Sequence, residues 1–105
     1  MKFLLLICVD PSNTPDEGPD EIDQWVEGAG AARLDGGPLK PRRTAVTVRV
    51  RDGKLATTDG PFAETPEVIA GFDLLECATR EEAVAIAAAH PVARFGAIEV
   101  REIID

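Results

Sequence analysis

The sequence predicts an α+β domain on a split βαβ plan, an antiparallel sheet covered on one face by two helices. Three observations carry this. Residues 2–9 form an unbroken apolar run of strand length. Val46-Thr47-Val48-Arg49-Val50-Arg51 alternates strictly and is followed by Asp52-Gly53, the dipeptide that favours a type I′ hairpin turn. Two further segments, opening near Asp20 and Thr79, combine helical spacing with helix-start residues.

In chain order, the first strand covers residues 2–9 and reads as central and covered on both faces, because it lacks polar alternation. Asp10-Pro11 ends it, too early for a secretory segment. Residues 11–19, rich in proline and acid, read as a surface loop. A helix follows from Asp20, with Ile22, Trp25, Val26 and Ala29 on one face and Asp20, Glu21 and Asp23 complementing the dipole. Its expected end is near Leu34, where Asp35-Gly36-Gly37-Pro38 supplies stop signals. The alternation at 46–51 points the valines inward, and Lys54–Thr58 returns antiparallel and delivers Asp59 to the strand exit.

Beyond it, Ala70–Cys77 reads as a strand, and Thr79-Arg80-Glu81-Glu82 as a capping box that opens the second helix. His90-Pro91 closes that helix. The last strand, about Ala97–Ile104, puts Ile98 and Val100 on one face and Glu99 and Arg101 on the other. Two helices cover only one sheet face, so a second copy packed sheet to sheet as a two-fold homodimer is the expected cover.

The chain's 105 residues fit one domain, 1–105. Its 11 Lys plus Arg against 19 Asp plus Glu give a net charge of −8, which argues against nucleic acid and anionic membranes as partners. No apolar run approaches the roughly 20 residues of a membrane span. Cys8 and Cys77 lie in apolar runs without metal-ligand spacing, which suits buried thiols in a reducing cytoplasm.

The run Asp59-Gly60-Pro61-Phe62-Ala63-Glu64-Thr65, with Gly71-Phe72, His90-Pro91 and Glu99-Val100-Arg101, resembles the DGPFAETKE family of YCII-related domain proteins. The resemblance covers the chain from Met1 to about Arg101. It implies a ferredoxin-like subunit with an added β-hairpin in a dimeric α/β barrel. It also implies kinship with cofactor-free enzymes acting on small cyclic or aromatic compounds, and some relatives are encoded beside extracytoplasmic-function sigma factors. Two departures stand out. Pro66 replaces the family's lysine, and the first helix lacks the histidine that related proteins pair with an acid from the second helix end; here His90 stands at that end.

His90 is the only histidine and the natural candidate for a general acid or base. The alternative is a cationic helix-end residue that complements the dipole. Asp59 is the candidate partner that would orient and stabilise the imidazole, or else a carboxylate bonded into its own turn. Phe62 and Trp25 are candidate apolar walls or plain core. Glu64 reads as a second acid or as the start of a helix over Thr65–Ala70. Arg94 is an anion binder or a solvated side chain. One histidine is too few for a usual zinc site, no cofactor-binding motif occurs, and no metal or cofactor is expected. The leading function is small-molecule binding, extending to cofactor-free proton transfer of lyase or isomerase type by the Asp59/His90 pair. The other is a noncatalytic ligand-binding or regulatory protein acting with a sigma factor.

Overall fold

The computed structural model describes residues 1–15, 19–63 and 65–104. Its elements are β1 (Lys2–Val9), α1 (Pro19–Ala29), β2 (Arg33–Pro38), β3 (Val46–Arg51), β4 (Lys54–Asp59), β5 (Val68–Glu76), α2 (Arg80–Ala88) and β6 (Ala97–Glu102). Four strands form an antiparallel sheet in the order β2-β5-β1-β6, and β3 and β4 form a separate two-stranded sheet. The four-stranded sheet with α1 and α2 is a ferredoxin-like α+β fold, and the hairpin is an insertion between β2 and β5.

β1 is central, as its apolar run predicts, and pairs with β5 on one side and β6 on the other. Alternation sorts its side chains. Phe3, Leu5 and Ile7 are buried beneath the helices, whereas Leu4, Leu6 and Cys8 are half-buried on the opposite face. The strand is therefore fully covered on one face only. Registers Leu5↔Asp73, Phe3↔Leu75 and Leu5↔Val100 put Asp73, Leu75 and Val100 on the helix side. Trp25, Cys77, Ala83, Ala87 and Val92 complete the core. Each fully buried large side chain, such as Phe3 or Leu75, contributes about 1.5–3 kcal/mol.

Both helices start as expected and one ends elsewhere. The Thr79 hydroxyl accepts the Glu82 N–H at 3.2 Å, and the Glu82 carboxylate accepts the Ala78 N–H at 3.0 Å. The first bond satisfies a free donor of the first turn of α2, and the second ties the residue before the cap to that turn. α1 does not run to Leu34. It stops at Ala29, because Gly30 adopts φ +57° and turns the chain through a short 3-10 segment into β2. Arg33–Pro38 is a strand rather than a loop, pairing along β5 at the sheet edge, where proline's missing N–H faces no neighbour. Gly36 is required there. A Cβ at this position would lie 2.2 Å from the Asp73 carboxylate and 2.7 Å from the Phe72 carbonyl oxygen.

The Asp52-Gly53 turn forms as predicted, with φ of 52° and 74° at its two residues. The direction of the hairpin's faces does not follow the expectation. Val46, Val48 and Val50 are 58–60% exposed and Leu55 is 69% exposed, while Thr47 and Arg49 on the other face are half-buried. The valine alternation marks an apolar face that the chain itself leaves open. Nor does a helix form over Thr65–Ala70, since Val68–Ala70 already belong to β5. The chain measures 46 × 37 × 17 Å with a radius of gyration of 15.6 Å, against about 13 Å for a compact domain of this length.

Candidate functional site

The sequence candidates fall in two places. Trp25, His90 and Arg94 gather where α1 meets the end of α2. Asp59 and Phe62 belong to the hairpin, and Glu64 lies outside the described residues.

Trp25 is 7% exposed. Its indole N–H donates to the Ile86 carbonyl at 2.8 Å and ties α1 to the last turn of α2. Above it lies a cleft of about 510 Å³ lined by Gln24, Trp25, Gly28, Ala85, Ile86 and Ala89, with Glu21 and Arg94 at its polar side. Arg94 and Glu21 form an ion pair at 2.9 Å across it, both well exposed.

His90 sits beyond the end of α2, in extended backbone, and caps a 3-10 turn spanning Pro91–Arg94. It is 4% exposed. Its Nδ1 accepts the Val92 N–H at 3.0 Å, so that nitrogen carries no proton, and the ring is the neutral Nε2–H tautomer. Burial pushes its pKa below the ordinary 6.5, and the Asp73 charge opposes this in part. The cationic helix-end role therefore does not describe His90. The flanking Ala89 and Pro91 line the cleft, while the imidazole stands behind Trp25, ring centroids 4.6 Å apart in an edge-to-face arrangement.

The carboxylate acting on His90 is Asp73 of β5. It is 5% exposed and accepts the Arg33 Nε–H at 2.8 Å. Neither residue was singled out from sequence. The available signal was an acid at an inward position of a strand, between Gly71 and Leu75, since carboxylates are rarely buried without a partner. Its partner lies 40 residues away, in a segment that reads as the end of the first helix.

Asp59 is exposed at the end of β4, opposite Val46. Among the described residues no hydrogen bond joins Asp59 to His90. The loop after Asp59 is pinned to its own hairpin. Gly60 N–H donates to the Ala45 carbonyl at 2.7 Å, and the Thr47 hydroxyl donates to the Gly60 carbonyl at 2.8 Å. Arg49 lies 5.4 Å from the ring centre of Phe62, which is 80% exposed. Phe62 is thus no wall of the cleft. Cys8 and Cys77 are free thiols held protonated chiefly by burial. No helix among the described residues is long and apolar enough to cross a membrane.

Comparison with known proteins gives two results. Over 46 residues, 44% of this chain, it is 46% identical to an uncharacterised protein of Rhizobium meliloti (strain 1021), and the match spans 37% of that protein. The family model of the YCII-related domain matches residues 1–105. With its whole length matched, the chain belongs to the family of YCII-related domain proteins.

Proposed function

We propose that this protein binds a small organic molecule, apolar with an anionic end, in the cleft between α1 and α2. The observation that carries the reading is the cleft itself. Its volume of about 510 Å³ lies within the roughly 300–1,000 Å³ of small-ligand sites, which are mostly apolar with a few polar groups that orient the ligand. Arg94 supplies such a group. Its exposed pair with Glu21 contributes about 0–1 kcal/mol, so a ligand carboxylate replaces Glu21 at little cost. The working unit is a homodimer in which a second copy covers the open sheet face of Leu4, Leu6, Phe72 and Leu74. The free thiols Cys8 and Cys77 suit the reducing cytoplasm, where we place the protein.

Trp25 is the only tryptophan and lines the cleft, so its fluorescence reports occupancy directly. Titration with a panel of aromatic and alicyclic carboxylates is expected to give saturable quenching and a matching rise in Tm. At 100 times Kd the native state gains about 2.7 kcal/mol. Ala85→Phe, which fills the cleft without adding a second indole, is expected to abolish both responses. Binding that survives this substitution places the ligand elsewhere and defeats the proposal.

A second reading, proton transfer at His90, is favoured by its neutral imidazole in the field of the buried Asp73 carboxylate. In it Asp73 takes over from Asp59 the stabilising of the imidazole's charge, and Trp25 must shift to admit the substrate. His90→Asn should then remove turnover while leaving ligand-induced quenching in place. Turnover that survives the substitution, or quenching in the native protein without any turnover, leaves binding without catalysis at His90.

A further inference from the structure

In the binding reading Arg94 holds the ligand's anionic end, and the segment that presents it is short. Pro91–Arg94 is a single 3-10 turn, a form whose hydrogen bonds are poorly aligned and which has little stability of its own. Pro91 has no N–H, and the next two amides of the turn both depend on one residue. The Val92 N–H donates to His90 Nδ1 at 3.0 Å, and the Ala93 N–H donates to the His90 carbonyl at 3.0 Å. The far end is secured by backbone. The Phe95 and Gly96 N–H groups donate to the Val92 carbonyl at 3.1 and 2.7 Å, and Gly96 lies so close to β1 that a Cβ there would be 2.4 Å from the Cys8 carbonyl oxygen. The entry to the turn thus needs the imidazole, and the exit does not. The imidazole itself is fixed by burial and by Trp25, against which it stands edge-on.

We propose that His90 is the positioning residue of the cleft, a bracket between its apolar wall and its anion-binding side chain. The ring packs on Trp25, which lines the cleft, and Nδ1 holds the backbone that presents Arg94 to the same cleft. Indole and guanidinium, one on α1 and the other beyond α2, are thereby kept in one relation to each other. Arg94 needs this support, because its side chain is exposed and its pair with Glu21, also exposed, is too weak to hold it. A binding group ordered in advance raises affinity by removing the cost of ordering it when the ligand arrives. In this scheme His90 acts through Arg94 and touches no ligand. Losing the cap leaves the apolar wall in place and frees the guanidinium, so affinity for a carboxylate falls further than affinity for the matching uncharged amide. This role rests on the cleft as the binding site and deepens that reading by naming what sets its charge selectivity.

The test titrates benzoate and benzamide, alike in ring and size, against the native protein, His90→Ala, His90→Asn, Arg94→Gln and the double variant of His90→Ala with Arg94→Gln, following Trp25 fluorescence. In the native protein benzoate is expected to bind more tightly than benzamide. His90→Ala should lower the benzoate-to-benzamide affinity ratio about tenfold, the order of a hydrogen bond to a charged group. His90→Asn, which restores an acceptor at the cap, should bring the ratio back to within about twofold of native. Arg94→Gln should lower the ratio as His90→Ala does, and adding His90→Ala to it should lower the ratio no further. A native ratio in His90→Ala, or a second full loss in the double variant, overturns the positioning role and leaves the cleft reading standing. Benzoate and benzamide that both fail to bind the native protein defeat the cleft reading and the role with it. Nitrogen-15 relaxation of the ligand-free proteins is the second measurement. Backbone order parameters at Ala93 and Arg94 should fall from about 0.85 to below about 0.6 in His90→Ala and recover in His90→Asn. Values that stay at the native level in the alanine variant overturn the role independently of any ligand.

Discussion

The His90 ring stands edge-on to Trp25, centroids 4.6 Å apart and planes at 64°, so the chain's only histidine and only tryptophan report on each other. Because Nδ1 is committed to the Val92 N–H, protonation must break a buried hydrogen bond as well as bury a charge.

Stability should therefore fall as the solution is acidified through the histidine range. Burial holds the folded-state pKa of His90 below 6.5, so the unfolded chain takes up its proton first. The His90 contribution is fully present above about pH 6.5 and is lost as pH falls toward the folded pKa. Thermal unfolding between pH 7.5 and 5.5 should show a declining Tm in the native sequence and a flatter profile in His90→Asn. Equal slopes for the two proteins would show that His90 is not the group responsible.

Two substitutions at this position separate capping from packing. His90→Asn keeps an acceptor near Nδ1 for the Val92 N–H, whereas His90→Ala removes it. Loss of such a cap costs about 0.5–2 kcal/mol. Urea denaturation should find alanine less stable than asparagine by about 1 kcal/mol, and the reverse order would contradict the assigned tautomer.

Asp73→Asn should cost about 3 kcal/mol, because it leaves the mostly covered Arg33 guanidinium without its counter-charge. It should also move the His90 titration to lower pH, since the Asp73 charge raises that pKa. Imidazole proton shifts followed by NMR would detect the change, and an unmoved titration would dissociate Asp73 from the site.

Gly36→Ala places a methyl group against the Asp73 carboxylate and the Phe72 carbonyl. Overpacking of this kind costs about 1–3 kcal/mol. Gly37→Ala, where a Cβ has no atom within 4 Å, is the control and should be close to neutral in the same denaturation assay.

Much of the fold was legible because its signals are local. The apolar run of β1, the Asp52-Gly53 turn and the Thr79 capping box each act within a few residues, and each forms where expected. β2 was hidden because Gly-Gly-Pro is a strong local breaker, and what makes it a strand is an edge partner more than 30 residues away. The valine alternation identified an apolar face correctly, but which way that face points depends on a neighbour that sequence period does not specify. The site follows the same division. His90 and Trp25 were conspicuous as unique residues, while Asp73 and Arg33 meet through sheet register and carry no local mark. Asp59 drew attention through the motif around it, yet much of that motif's bonding secures the hairpin.

The central position of β1 bears on how the chain is made. β1, starting at Lys2, is completed only by pairing with β5 and with β6, whose residues Ala97–Glu102 emerge last among the strands. During synthesis, which proceeds at about 5–20 residues per second, Phe3, Leu5 and Ile7 stay without their full partners until nearly the whole domain has left the ribosome. Such a fold is expected to close only once Ala97–Glu102 have emerged, with its most apolar strand exposed for several seconds until then. A nascent chain arrested before residue 97 is accordingly the species expected to engage chaperones.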